Sequence, residues 1–397
     1  MRNVSTALVI GGGIGGPVAG MALQKAGISA SVHEAYDGPA EGVGGLLSIA
    51  PNGFNALAVL GAEHVVHRLG FPMKALVMQS WTGKRLAEFG TPEHLPPQLA
   101  VWRGDFNRAL AEEAASRGVP FAYGKRLVGV EETPDAVTAR FADGTSATAD
   151  ILVAADGIRS VTRHLIDPAA PGPRYVGLLG FGAMLPDTGL PPTGGKMLLS
   201  FGKRAFLGHQ VHDDGSGGWF VNLPRKEPLT MAEARRVDAR EWMRVLTEAF
   251  AGDRLPTAEL FGRTDPAALV VTGGLYDLPR VPTWSRGRTV LVGDAAHATS
   301  PSSGQGASMA IESAVVLGRS LRDLPYERAF AAYEEQRRER VERIIAFAAR
   351  NSAQKAAGPV ARVLRDLTMP VVMRMARPES FDWQFDHRVD WDAVAGA

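Results

Sequence analysis

The first 34 residues place apolar runs and a glycine cluster in an informative order. Residues 4–10 form a short apolar run rich in β-branched side chains, which predicts a buried strand. Glycines dominate 11–16, and a helix-like stretch covers 17–25. Residues 28–34 then alternate like a second strand and end in an acid. This order predicts a βαβ unit, the building block of a parallel sheet.

Residues 105–154 contain one helical pattern followed by strand patterns. These patterns predict a helix at 105–117 and strands at 126–131, 136–142 and 150–154. The dipeptide Asp143-Gly144 follows the second of these strands and indicates a hairpin turn.

The pattern changes from about 174 to 275, where short apolar runs are separated by glycine-rich and charged turns. These runs predict strands at 196–201, 205–211 and 218–223. Their spacing is typical of an antiparallel sheet. A buried strand returns at 289–293, and two long helices are predicted at 306–321 and 326–350.

The chain therefore belongs to the α/β class, with a Rossmann-like nucleotide-binding unit interrupted by a mostly antiparallel sheet and followed by C-terminal helices. We expect the nucleotide-binding unit at 1–73, 100–173 and 278–350, the inserted sheet at 74–99 and 174–277, and a helical tail at 351–397.

The amino-acid composition excludes several kinds of binding and catalytic site. The 43 basic and 42 acidic residues give a net charge of +1, which argues against nucleic-acid binding. The sequence has no cysteine, so thiolate nucleophiles, iron–sulfur clusters and cysteine-ligated zinc are excluded. Any redox chemistry must therefore use an organic cofactor. The histidine pairs 64/67 and 209/212 lack further ligands at zinc-like spacing, so we predict no metal site.

Two apolar segments could indicate an interaction with a membrane. Residues 7–23 are apolar but broken by glycines and Pro17, which favours a strand–turn–helix over a signal peptide. Residues 358–376 combine apolar positions with arginines, so either a membrane-surface helix or a helix packed on the protein is possible. We favour packing and expect a cytoplasmic protein without stable membrane association, as a monomer or homodimer.

The glycine cluster carries the clearest chemical signal. Gly11, Gly13 and Gly16 fit G-x-G-x-x-G, in which the first glycine permits a tight turn, the second lets a diphosphate approach, and the third lets helix and strand pack closely. Glu34 ends the second strand, where an acid hydrogen-bonds a ribose hydroxyl. A glycine-rich turn without a ligand is the alternative. The motif itself does not separate FAD from NAD.

Two later segments extend this signal. They are DILVAADGIRSVTR at 150–163 and RTVLVGDAAHATSPSSGQGASMAIESA at 288–314. With GGGIGG at 11–16 and Arg103, they make the sequence resemble the FAD-dependent aromatic hydroxylase superfamily, the single-component flavoprotein monooxygenases of the p-hydroxybenzoate hydroxylase type. It looks most like the short members without a C-terminal thioredoxin-like domain.

The resemblance implies FAD as cofactor and NADH or NADPH as electron donor. It implies transfer of one oxygen atom of O₂, through a flavin C4a-hydroperoxide, to a small aromatic or a polyketide- or alkaloid-like substrate. A flavin-dependent epoxidase or oxidase, and a non-redox binding protein on the same fold, remain alternatives.

The resemblance and the motifs together define the candidate site residues. Cofactor contacts are expected from Gly11, Gly13, Ile14, Gly15, Gly16, Glu34, Gly45, Arg103, Leu127, Asp156, Gly157, Asp294, Gly304, Gly306, Ala307 and Ser308. Asp294 is also a possible helix N-cap. Arg159 and Arg163 are spaced to form one basic face on a helix, facing either a phosphate or solvent.

Substrate contacts are expected from the inserted sheet. Strand parity places Phe220 and Asn222 on one face and separates Phe206 from His209. We expect Phe206, Phe220 and Asn222 to bind substrate. The catalytic candidates are Pro301 and His209. The resemblance implies that Pro301 lies beside the reactive edge of the flavin, and a simple helix-preceding proline is the alternative. His209 is a candidate polar contact or base.

Overall fold

A six-stranded sheet carries the glycine turn, defined as residues 11–16. The computed structural model describes residues 4–39, 45–92, 94–355, 358–375 and 382–395. The strands are β1 (Thr6–Ile10), β2 (Ser29–His33), β8 (Phe121–Ala122), β12 (Ile151–Ala154), β18 (Ser285–Arg286) and β19 (Thr289–Leu291), and they lie in the order β18-β19-β12-β1-β2-β8.

The centre of this sheet is parallel and fully apolar. β1 pairs in parallel with β2 and with β12, and helix α1 (Gly15–Lys25) connects β1 to β2. Val9 pairs with Val32 on one side and Val153 on the other, and all three side chains are completely buried. Both faces of a parallel sheet are covered, so its strands read as continuous apolar runs. The predicted α/β fold with a βαβ unit is confirmed.

A small antiparallel sheet confirms the hairpin turn predicted at Asp143-Gly144 and adds a strand to the prediction. Its strands are β9 (Leu127–Glu132), β10 (Val137–Phe141) and β11 (Ser146–Ala149), in the order β11-β10-β9. The turn leads into β11, a strand missing from the prediction. The predicted strand at 150–154 contains β12, which pairs in parallel in the main sheet and not with β10.

A seven-stranded sheet forms the second large layer. Its strands are β5 (Ala75–Ser80), β6 (Arg85–Gly90), β13 (Arg174–Leu185), β14 (Lys196–Phe201), β15 (Phe206–Val211), β16 (Gly217–Pro224) and β17 (Val270–Asp277), and they lie in the order β17-β13-β16-β15-β14-β5-β6. All neighbours are antiparallel except β14 and β5. The predicted strands of this region thus pair with each other, in a layer separate from the parallel sheet.

Helices and a second small sheet connect these layers. The sheet contains β3 (Leu46–Ile49), β7 (Gln98–Trp102) and β4 (Phe71–Met73), in the order β3-β7-β4. The remaining helices are α2 (Pro51–Val59), α3 (Glu63–Leu69), α4 (Arg103–Ser116), α5 (Val161–Ile166), α6 (Met231–Arg236), α7 (Ala239–Ala249), α8 (Thr257–Gly262), α9 (Asp294–His297), α10 (Gly306–Asp323), α11 (Tyr326–Lys355) and α12 (Pro359–Met375). Short 3₁₀ helices occupy Pro266–Ala268 and Pro301–Ser303.

Helix α12 packs on the protein through one face. Met369 joins a core cluster with Leu86 and Phe206, while Val360 and Leu367 on the other face are exposed. Within the described ranges, no helix combines the length and apolar character required to cross a bilayer.

A buried ion cluster fixes α10 to α11. Glu312 has no exposed surface, and its Oε2 lies 2.5 Å from Nη1 of Arg337. Arg340 donates to both carboxylate oxygens, at 3.0 and 2.9 Å, and Asn52 of α2 also donates to Oε1. The two guanidinium groups hold the pKa of Glu312 below its usual value despite the burial. These contacts tie the consecutive helices α10 and α11 to α2, whose Asn52 lies 260 residues before Glu312.

We expect Glu312→Gln to lower the free energy of unfolding by about 3 kcal/mol or more, because it leaves two arginines without their buried counter-charge. Chemical denaturation followed by circular dichroism measures the change. Glu241→Gln is the matched control, since Glu241 pairs with Arg244 on an exposed helix, and its denaturation midpoint should equal that of the wild type. A Glu312→Gln midpoint equal to that of this control would contradict the expectation.

Candidate functional site

The glycine turn is tightly packed at its two ends and open at its centre. Gly11 has φ +103°, and a Cβ there would lie 2.4 Å from the carbonyl oxygen of Ala155. A Cβ on Gly16 would lie 1.9 Å from the carbonyl oxygen of Gly11. Around a Cβ placed on Gly13, in contrast, no described atom lies within 4 Å. The packing therefore requires the first and third glycines and leaves space over the second.

This open space lies at the start of α1. The first backbone N–H groups of a helix have no partners inside the helix, and the helix dipole favours an anion there. The first turn of α1 carries no acidic residue that would repel such an anion. Ile14, the N-cap, and Gly15 belong to the same turn. The residues present therefore fit the diphosphate of a dinucleotide.

Glu34 lies beside the glycine turn. Its Oε2 accepts a hydrogen bond from Gly12 N at 2.5 Å, and its Oε1 accepts one from Tyr36 N at 3.0 Å. These two bonds orient the Glu34 carboxylate. Its remaining lone pairs can accept hydrogen bonds from further donors. Such an arrangement can receive ribose hydroxyls.

Leu127 lies near the same end of the site, at the start of β9. Lys125, two residues earlier, donates its backbone N–H to the carbonyl oxygen of Glu34 at 2.7 Å. The Leu127 side chain is buried in the apolar core, so only its backbone is available to a cofactor.

Asp156 follows β12 and contacts the glycine turn, since a Cβ on Gly11 would lie 3.0 Å from the Asp156 Cα. Its Oδ2 accepts hydrogen bonds from Thr162 N at 3.1 Å and Thr162 Oγ1 at 2.9 Å. Its Oδ1 is buried and has no hydrogen-bond partner within the described ranges. Gly157 follows with φ +77°. A buried acceptor without a partner beside the turn indicates a place where a ligand or water donates.

The predicted basic face of Arg159 and Arg163 is wrong. Helix α5 begins only at Val161, so Arg159 is outside it. Arg163 is fully buried and donates to the carbonyl oxygens of Ala295 and Ile158 at 3.0 and 2.8 Å. Arg159 is exposed and lies 5.1 Å from the centre of the Tyr276 ring. Arg163 therefore links two backbone segments near the site and does not face a phosphate.

Asp294, Arg103 and Gly45 lie together in the middle of the candidate site. Burial raises the pKa of Asp294, and the positive charge of Arg103 opposes the rise. Arg103 begins α4, and its backbone N–H donates to Gly45 at 3.3 Å. The helix-cap interpretation of Asp294 is wrong, because Gly293 is the N-cap of α9 and no side chain caps that helix.

The 301–308 loop, which leads into α10, is held in place by Ser48 of β3 and by Ala50, the N-cap of α2. Gly304 has φ +64°, and its carbonyl oxygen accepts a hydrogen bond from Ser48 Oγ at 2.9 Å. Ser308 Oγ accepts the backbone N–H of Ala50 at 3.0 Å, so this side chain serves the fold. Pro301 is exposed at the start of the loop.

The same loop opens helix α10 at Gly306 and Ala307, which are partly exposed. Because this is the N-terminus of an 18-residue helix, its first N–H groups favour negative charge. The loop therefore suits a ligand group that becomes negatively charged.

Asn107 is a site residue that the sequence reasoning missed. Its Nδ2 donates to the carbonyl oxygen of Gly12 at 2.8 Å and thereby fixes the glycine turn from α4. The only available signal was its position four residues after Arg103, which is one helical turn.

Three predicted substrate residues share one face of the seven-stranded sheet, here called the aromatic face. Phe206 pairs with Asn222, and Gly208 pairs with Phe220. Cross-strand partners project to the same side of a sheet. The rings of Phe206 and Phe220 lie 6.1 Å apart.

His209 does not belong to the aromatic face. It pairs with Trp219, which packs behind the sheet against α7 and α8. Only 3% of His209 is exposed, and burial lowers its pKa to about 4. Its predicted role as a base or polar contact is therefore corrected: the side chain points away from the other three residues.

Lys355, at the end of α11, is a second residue that the sequence reasoning missed. Its Nζ donates to Asn222 Oδ1 at 2.8 Å and lies 4.2 Å from the centre of the Phe206 ring. One helical turn earlier, Ser352 bonds to Ser300 and Ser302 at 2.8 and 2.9 Å. The end of α11 thus joins the 301–308 loop to the aromatic face.

Comparison with known proteins adds to this geometry. A family model described as "FAD binding domain" matches residues 4–255 and 277–348. FAD-dependent urate hydroxylase of Klebsiella pneumoniae is 33% identical over 355 residues, which cover 85% of this chain and 87% of that protein. The 3-amino-4-hydroxybenzoate 2-monooxygenase PtmB3 of Streptomyces platensis is 33% identical over 388 residues, covering 92% and 93%.

A solved structure agrees with these relatives. Klebsiella pneumoniae HpxO complexed with FAD and uric acid superimposes with a TM-score of 0.82 at 28% identity, covering 95% of this chain and 94% of that one. The similarities confirm the resemblance to FAD-dependent aromatic hydroxylases, and they confirm FAD as the cofactor.

We expect Gly13→Ala to weaken FAD binding by about tenfold or more while the protein stays folded, because the added methyl group occupies only the space left for the diphosphate. Gly262→Ala is the matched control, since its Cβ also meets no described atom within 4 Å and lies on α8, away from the turn. Fluorescence titration of the apoprotein with FAD measures both affinities, and thermal unfolding checks the fold. Unchanged FAD affinity in Gly13→Ala would place the diphosphate elsewhere.

Proposed function

This chain belongs to the FAD binding domain family and is an FAD-dependent monooxygenase, and on that premise we propose that it hydroxylates a small aromatic substrate with NADH or NADPH as the electron donor. The observation that carries the proposal is the short link between the 301–308 loop and the aromatic face. Ser352, which bonds the loop, and Lys355, which bonds the face, are three residues apart, or about 4.5 Å along a helix. A group bound at the loop therefore lies close to the aromatic side chains.

The residues that would hold FAD follow the chain of contacts described above. The N-terminus of α1 and the open centre at Gly13 would accommodate the diphosphate, and Glu34 would accept hydrogen bonds from the adenosine ribose. Arg103, Asp156 and Asp294 would contact the middle of FAD. Gly304 and the start of α10 would hold its flavin end. When bound, FAD supplies the redox chemistry, accepting electrons from the nicotinamide and activating O₂.

The protein's own contribution is positional and electrostatic. The first N–H groups of α10 would favour negative charge on a flavin ring bound there. Phe220 is partly exposed and, backed by the buried Phe206, would provide an apolar surface for an aromatic ring. Pro301 is exposed at the start of that loop, and its proposed role is to contact the substrate beside the flavin.

The substrate size follows from the same face. The relatives with 33% identity act, by their names, on urate and on 3-amino-4-hydroxybenzoate, both of which are small ring compounds. The paired phenylalanines of this chain suit a ring of that size. These points favour a small aromatic substrate over a polyketide- or alkaloid-sized one.

We expect the FAD-loaded protein to oxidise NADH or NADPH faster in the presence of a cognate aromatic compound and to form a product that contains one atom from ¹⁸O₂. Mass spectrometry of reactions run in ¹⁸O₂ and, as the control, in H₂¹⁸O distinguishes the two oxygen sources. Hydrogen peroxide as the sole oxygen product with every aromatic compound in a broad panel would contradict the proposal and indicate an oxidase.

A further inference from the structure

The outer side of helix α12 carries an exposed apolar stripe, here called the α12 seam, which consists of Val360, Leu364, Leu367 and Val371. We propose that this seam pairs antiparallel with the same helix of a second copy of the chain, so that the protein is a homodimer. The inference concerns a surface outside the FAD contacts described above, and it depends neither on the substrate nor on the reaction.

Three of the four charged side chains of α12 pack towards the protein instead of pointing into water. Arg362 donates to the carbonyl oxygen of Lys203 at 2.7 Å. Arg365 lies 2.7 Å from Asp366 and 4.0 Å from the centre of the Phe201 ring. A surface helix normally turns its polar residues to the solvent and its apolar residues to the core. The reversed arrangement of α12 is expected where another surface covers the helix.

The exposed apolar surface of α12 is large enough for a stable interface. Seven of the fourteen large apolar side chains that are exposed in the described part of the chain belong to this one helix, and each is between 56% and 82% exposed. They are the four seam residues together with Val363, Val372 and Met375. At roughly 100 Å² each they present about 700 Å², close to the ~800 Å² that each partner buries in a stable complex. Monomeric soluble proteins rarely leave so much apolar surface on one element.

The spacing of the seam residues favours a helix as the partner. They follow one another at intervals of four, three and four positions, as in a coiled coil, and they lie within about 60° of one another around the helix. Arg374 is the only exposed charged residue in α12, whereas helices that lie on a membrane surface are rich in lysine and arginine. A narrow seam with one cation therefore fits another helix better than it fits an anionic lipid surface.

The seam is complementary to itself when two copies run antiparallel. A two-fold axis between positions 365 and 366 places Val360 of each copy against Val371 of the other, and Leu364 against Leu367. Each layer then pairs two identical kinds of side chain. Arg374 continues the same spacing, so a parallel pair would bring two guanidinium groups together. The antiparallel pair separates them by about 25 Å along the helices.

Sedimentation velocity of the full-length, FAD-loaded protein at micromolar concentration tests the pairing. The wild type should sediment with the mass of two 42.3 kDa chains. Leu364→Glu places two carboxylates in the centre of the seam and should weaken the dimer about 100-fold or more, which leaves monomers. Leu165→Glu is the matched control, since Leu165 is exposed on α5, outside the seam, and this variant should remain a dimer. Thermal unfolding and FAD affinity should be unchanged in both variants.

Single cysteines report the register, because the chain has no cysteine of its own. Val360→Cys and Val371→Cys, mixed to exchange subunits and then oxidised, should form a disulfide-linked dimer on a non-reducing gel. Neither variant should cross-link with itself. In the antiparallel pair the two copies of either residue lie about 17 Å apart, whereas a disulfide requires Cα atoms within ~7 Å.

Three results would overturn the inference: a wild type that sediments as a monomer, a Leu364→Glu variant that remains a dimer, or a Val360→Cys variant that cross-links with itself as readily as with Val371→Cys. A monomeric wild type that floats with vesicles of phosphatidylcholine and phosphatidylserine, while Leu364→Glu does not, would assign the seam to a lipid surface instead. Each of these results is independent of the oxygen-labelling experiment.

Discussion

The structure depends on a contact that only glycine permits. At the glycine turn, backbone packs directly on backbone: Gly16 on the carbonyl of Gly11, and Gly11 on the carbonyl of Ala155. This contact sets the distance between β1, α1 and β12, and it brings Glu34 and Asp156 to either side of the open space over Gly13. A side chain at either packed position would separate the elements that form the nucleotide end of the site.

The other end of the site depends on helix packing instead. Glu312 and its two arginines fix α10 to α11, and Asn52 connects both to α2. Because the 301–308 loop opens α10 and Lys355 ends α11, this cluster determines how the flavin end and the aromatic face meet. Asn52 also donates to Gln305 Oε1 in the 301–308 loop at 2.9 Å, so we infer that the cluster positions the two helix ends.

The sequence predicted the elements with strong periodicity. β1, α1 and β2 were predicted because apolar runs, glycines and an acid follow one another within one short stretch, and the strands of the seven-stranded sheet alternate clearly between turns. β11 was missed because SATA is short and mostly exposed, and so has little apolar periodicity. The basic face of Arg159 and Arg163 was wrong because Ser160 caps α5, which places Arg159 before the first helical turn.

Candidate site residues that belong to a local motif could be picked out from the sequence. Contacts between segments that are distant in sequence could not. The glycine turn, Glu34, Asp156 and Asp294 belong to recognisable segments. The bond between Lys355 and Asn222 joins residues 133 positions apart, and no local pattern signals it. His209 was misassigned because strand parity separates two faces without indicating which one is covered by helices. A crystal structure of the FAD complex tests the central claim directly. We predict the diphosphate at the N-terminus of α1 and the isoalloxazine ring between the 301–308 loop and the Phe206–Phe220 pair. A ring bound away from that pair, or a diphosphate away from Gly13, would contradict it.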